Sequence, residues 1–135
     1  MFTSVHRKDS LRNIEANGEF TCSLSTWDTR AGMNISSAPV DQLADEFALA
    51  DLETAPSKFV APPRVARSPA ALECKFWKTI DLPDVSEDRE KGHFVVIGRV
   101  VGIYIDDQFI HEGIVNTGAM RPLARMGYMD CLLYT

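Results

Sequence analysis

The stretch His93-Phe94-Val95-Val96-Ile97-Gly98-Arg99-Val100-Val101-Gly102-Ile103-Tyr104-Ile105 decides the fold of this 135-residue chain. Its density of β-branched residues makes it the strongest strand in the sequence, and Gly98 and Gly102 mark bends or bulges in a curved sheet. Upstream, residues 70–82 read as a second long strand, with Leu72, Cys74 and Phe76 on one face and Glu73, Lys75 and Trp77 on the other. Between them lies a charged, solvated loop from Asp84 to Gly92, so the two strands are expected to form an antiparallel hairpin.

Shorter elements surround this pair. Residues 1–5 read as the tail of a strand. A helix over 10–17 follows, with Leu11 and Ile14 at helical spacing, Asp9 or Ser10 as its cap and Gly18 as its stop. Phe20, Cys22 and Leu24 alternate with polar residues as a half-buried strand, and Thr26 caps a second helix running to about Met33. Trp27 reads as a packing residue there, with a ring contact to a ligand as the alternative. A short helix is expected around residues 41–49. Four of the seven prolines (Pro56, Pro62, Pro63, Pro69) then stiffen an extended connection that wraps the body. Residues 106–118 read as a loop with apolar contacts at Phe109, Ile110 and Ile114. Long strands, glycine bends and short helices together predict a mainly β domain, a small barrel with helical decorations, spanning residues 1–135.

Composition narrows the function. A net charge of −5 and a pI near 5.1 disfavour a nucleic-acid binder. No apolar run approaches the ~20 residues that span a bilayer, and the start lacks a signal-peptide core, so a cytoplasmic setting without membrane partners is expected. Cys22, Cys74 and Cys131 are scattered and odd in number, which argues against a disulfide framework and places each in a core or half-buried strand. His6, His93 and His111 show no metal-ligand spacing, and no metal site or catalytic grouping of Ser, His and Asp is expected.

The segment Arg7-Lys8-Asp9-Ser10 carries a clearer chemical signal. Two cations stand directly before a helix start, where unpaired N–H groups and the helix dipole favour an anion such as phosphate. A solvated lysine and a mere helix cap are the bland alternative. Arg121 and Arg125 precede Gly127-Tyr128, where a glycine allows close backbone approach to a ligand; phosphate contact and surface ion pairing are both open. Tyr128 is open to ring stacking or packing. Asn34, Ser36 and Ser37 make a polar turn that self-capping bonds explain without a ligand.

Taken in order, several segments resemble the flavin reductase-like proteins of the FMN-binding split-barrel fold. They are Arg7 to Ile14 with Gly18-Glu19-Phe20, Met33-Asn34-Ile35-Ser36-Ser37-Ala38-Pro39, Asp45-Glu46-Phe47, Pro62-Pro63-Arg64-Val65, Ser68 to Cys74, Val96 to Gly102, and Arg121 to Tyr128. The resemblance implies a Greek-key split β-barrel, here matching the C-terminal two-thirds of a member and shortened at the N-terminus. It implies FMN as cofactor, NAD(P)H as co-substrate and a homodimer with the flavin near the subunit interface. It makes Lys8 and Ser10 the phosphate ligands, with Arg7 and Asp9 beside them and Arg121, Arg125, Gly127 and Tyr128 as further cofactor contacts. The other outcome left open is a non-catalytic split-barrel remnant acting as a structural or partner-binding protein, with open β edges inviting another chain.

Overall fold

The structure, a computed structural model, describes residues 1–38, 40–41, 44–83, 92–127 and 130–133, with side chains as far as Ala124. The charged loop over residues 84–91 and the tyrosine at 128 lie outside the described residues. In chain order the elements are β1 (Phe2–Val5), α1 (Asp9–Asn17), β2 (Glu19–Ser23), a 3-10 turn (Trp27–Thr29) running into α2 (Arg30–Ser36), α3 (Glu46–Leu49), β3 (Thr54–Ala55), β4 (Arg64–Val65), β5 (Ala70–Leu82), β6 (His93–Ile105), β7 (Ile110–His111), β8 (Ile114–Val115), β9 (Leu123–Gly127) and β10 (Asp130–Leu133).

The two long strands pair antiparallel and form the centre of a four-stranded sheet in the order β1-β6-β5-β2. β1 pairs beside β6 although it is first in the chain, which is Greek-key order. The sheet curls into a half-barrel, and two bulges bend it. Glu73 pairs with Gly102 and Cys74 with Val100, leaving Val101 as an extra residue in β6. Phe76 pairs with Gly98 and Lys78 with Ile97, leaving Trp77 as an extra residue in β5.

The first bulge also explains the two glycines. Gly98 faces the α1 side, where an added Cβ would lie 2.6 Å from the Phe20 ring and 3.0 Å from the Lys75 carbonyl. Gly102 faces the opposite side, where a Cβ would meet the Phe59 ring at 2.5 Å. On the α1 side Leu11 and Ile14 pack on Phe20, Cys74, Phe94 and Val96, with Phe2 edge-on to Phe20 at 5.8 Å. Gly18 stops α1 in the left-handed conformation, its N–H donating to Ile14.

The proline-rich connection wraps the other side. Thr21 Oγ1 donates to the Pro63 carbonyl at 2.7 Å, and Ala61 and Val65 N–H donate to Glu19 Oε2 and Ser23 Oγ. This wrap covers the part of β5 that carries Glu73. Glu73 is buried, because its carboxylate accepts N–H bonds from Lys58 and Phe59 at 2.6–3.1 Å. Leu72, on the opposite face with Cys74, is 39% exposed because α1 covers only half of that side. Cys22, expected at least half buried, is exposed on the same uncovered half, while Cys74 is buried.

Three local expectations also change. The second helix runs to Ser36 rather than Met33, and the hydroxyls of Ser36 and Ser37 bond back to the Met33 carbonyl. Among the described residues of the helix expected over 41–49, the helical ones are those of α3, which the Asp45 carboxylate caps by accepting from Phe47 and Ala48 N–H. Residues 110–115 form a miniature hairpin instead of a plain loop. Glu112 and Gly113, with φ of 52° and 79°, make its two-residue turn, and Ile114 is exposed at its edge.

Candidate functional site

Two clusters hold the residues singled out from the sequence. The first is the start of α1. The chain leaves β1 through His6, whose φ of 67° turns it sharply while its N–H donates to the Gly92 carbonyl at 2.9 Å. Lys8 occupies the N-cap position in extended conformation, and its carbonyl accepts from Leu11 and Arg12 N–H. Asp9 and Ser10, expected as caps, are instead the first two helical residues, and no side chain caps this end. Their N–H groups therefore precede the first intrahelical donor, that of Leu11. Lys8 and Ser10 are both exposed at this end. Asp9 lies 3.7 Å from Arg12 one turn on.

Arg7 is committed elsewhere. Its guanidinium forms an ion pair with Glu15 and lies 5.3 Å from the centre of the Phe94 ring, while Glu15 also accepts from Thr79 Oγ1 at 2.8 Å. Arg7 thus ties α1 to the sheet, leaving Lys8 and Ser10 as the exposed residues at the helix start.

The second cluster follows β2. Leu123 N–H donates to the Ser25 carbonyl and Trp27 N–H to that of Arg121, both at 3.0 Å, which pins residues 121–123 against 25–27. Thr26 and Thr29 are buried and bond to each other through Thr26 N–H and Thr29 Oγ1 at 3.0 Å. Arg121, with φ of 52°, lies 3.6 Å from Asp28 and 5.7 Å from the Trp27 ring centre. Arg30 stacks on the same indole at 4.0 Å and donates to the Trp27 carbonyl. Trp27, 38% exposed, thus has two guanidinium groups near its ring, with Asp28 beside that of Arg121. Sequence reading missed Arg30; its spacing of three from Trp27 along a helical turn was the available signal. Arg125 and Gly127 pair with Cys131 and Asp130 in the β9–β10 hairpin.

The structure does not bring these clusters together within one chain. The start of α1 adjoins the His93 end of β6, where Val5 pairs. The Trp27 cluster follows the other end, where Ala70 pairs with Ile105 and Leu24 N–H donates to the Ala70 carbonyl. About 40 Å of strand separates the two ends. A cavity of about 520 Å³ lies between them at the Trp77 bulge, lined by Lys75, Phe76, Trp77, Gly98 and Arg99, none of which was singled out as a ligand contact.

One further group is tuned by its surroundings. Burial raises the Glu73 carboxyl, but the N–H groups of Lys58, Phe59 and Val60 and the charge of Arg64 outweigh it and hold the group below its usual range. No helix among the described residues is long and apolar enough to cross a membrane.

Comparison with known proteins agrees with this architecture. Residues 1–124 match the family model described as flavin reductase like domain. An uncharacterised protein of Deinococcus radiodurans is 33% identical over 123 residues, covering 89% of this chain and 51% of that protein. Another from Halalkalibacterium halodurans is 33% identical over 119 residues, covering 88% and 56%. The chain thus spans about half the length of these relatives. Among solved structures, nitrilotriacetate monooxygenase component B from Bacillus cereus superimposes with a TM-score of 0.85 at 26% identity, over 94% of this chain and 62% of that one. Flavoredoxin of Desulfovibrio vulgaris gives 0.75 at 21% identity, over 97% and 68%, a likeness of fold.

Proposed function

The chain belongs to the flavin reductase-like family, and from that premise we propose that it is an FMN-binding oxidoreductase module in which NAD(P)H and flavin exchange a hydride. The observation that carries this reading is the uncapped start of α1. The N–H groups of Asp9 and Ser10, the Ser10 hydroxyl and the Lys8 ammonium all stand at one exposed helix end. That donor set fits a phosphate dianion, which the helix dipole also favours. Bound FMN supplies the redox chemistry, and the protein's task is to grip and orient it. Lys8 and Ser10 hold the phosphate, and Arg7, by clamping α1 to β6 through Glu15 and Phe94, keeps that end in place.

The separation of the Trp27 and Arg121 cluster from α1 supports a homodimer, in which one subunit's α1 and the other's Arg121 serve one flavin. The sheet offers a surface for association. Cys22, Leu72 and Ile103 form one cross-strand row on the half that α1 leaves open, beside Val100. Leu72 is 39%, Val100 45% and Ile103 67% exposed. The same row also favours a second reading, a partner-binding protein without catalysis.

Titrating the purified protein with FMN separates the two. A shifted visible spectrum with quenched flavin fluorescence is expected, and Lys8→Ala with Ser10→Ala should weaken binding about ten-fold or more. Unchanged affinity in the double variant overturns the phosphate assignment. Free-flavin behaviour with the intact chain overturns the oxidoreductase reading in favour of the second.

A further inference from the structure

Three features of the sheet adjoin the bulge at Trp77. First, Lys75 and Arg99 are direct cross-strand partners, an arrangement that like charges disfavour. Glu19 lies 3.7 Å from Lys75, but it also accepts the Ala61 N–H. Among the described residues Arg99 has no carboxylate partner, nor has the exposed Lys78 that follows the bulge. Second, the unpaired Trp77 holds its indole 69% exposed, although covering it would be favourable. Third, Lys75, Trp77 and Arg99, with Phe76 and Gly98, line an open cavity of about 520 Å³. Arg99 and Lys78, without a carboxylate partner among the described residues, stand beside an open ring on a chain of net charge −5.

We infer that this cavity is a nucleotide subsite, with Trp77 stacking a base and Arg99 and Lys75 holding its phosphates. A bare inorganic anion leaves the indole unused, and an uncharged ring leaves the cations unused. A nucleotide satisfies both, through stacking and charge-assisted hydrogen bonds. A nucleic-acid strand carries the same groups, but its many phosphates meet an acidic protein. The subsite rests on the oxidoreductase reading, since the adenosine diphosphate half of a nicotinamide dinucleotide is the ligand of this chemistry that such a reaction requires.

The test is calorimetric titration with ADP, alongside inorganic phosphate, a short single-stranded DNA and FMN. ADP should bind, and Arg99→Glu and Trp77→Leu should each weaken it about ten-fold or more while leaving FMN affinity unchanged. Arg99→Lys should recover part of the loss. Far-ultraviolet circular dichroism establishes that each variant is folded. ADP affinity unaffected by both substitutions, phosphate binding as tightly as ADP, or DNA binding more tightly than ADP each overturns the subsite. FMN binding without ADP binding refutes the subsite and leaves the flavin reading standing; ADP binding without FMN binding does the reverse.

Discussion

Replacing Glu73 with glutamine probes how the proline-rich wrap is held on the sheet. The carboxylate is 4% exposed and accepts Lys58 N–H at 3.0 and 3.1 Å and Phe59 N–H at 2.6 Å. Hydrogen bonds to a charged acceptor contribute about 1.5–3 kcal/mol each, and a buried N–H left unpaired costs about 1–3 kcal/mol. Glutamine keeps one acceptor oxygen but turns an NH2 group toward the remaining donors. The wrap lies at the surface, so water reaches part of the exposed backbone and the lower part of the range applies. A loss of about 2 kcal/mol is expected, or roughly 6–10 °C in Tm for a domain of this size. Urea unfolding at neutral pH measures it, and limited proteolysis should show faster cleavage within residues 56–67.

The pH dependence gives the same claim a second test. The Glu73 carboxyl is held below its ordinary value in the folded protein, so its contribution is complete above the unfolded-state pKa and fades as pH falls through the folded one. The gap between wild type and Glu73→Gln should therefore be constant near neutrality and close on the acid limb, below about pH 4. Equal stability at pH 7, or a gap that widens in acid, refutes the reasoning.

Two further outcomes test the packing. Gly98→Ala should cost about 1–3 kcal/mol in urea unfolding, since its Cβ meets the buried Phe20 ring and the Lys75 backbone, whereas Gly102→Ala should cost less because Phe59 is exposed and free to swing aside. Leu72→Asn with Ile103→Asn should weaken self-association in light-scattering measurements while leaving monomer stability within about 0.5 kcal/mol, because both side chains are exposed.

Local pattern alone determined much of this protein. The long β5–β6 pair, the Gly18 stop and the helix carrying Leu11 and Ile14 follow from strand propensity, turn chemistry and helical spacing, which act between near neighbours. The ordered run of segments from Arg7 to Tyr128 was enough to indicate the family. Other features depended on contacts between residues distant in the chain. Alternation puts Glu73 and Leu72 on opposite faces of β5, but that Glu73 is buried under the backbone of residues 58–60, and that Leu72 is 39% exposed, depends on where the wrap and α1 lie. Arg7 and Lys8 look alike in sequence, yet Glu15 and Phe94 claim the first and leave the second exposed. Which of two neighbouring cations remains open to a ligand is settled by where the partners land, and only the tertiary structure places them.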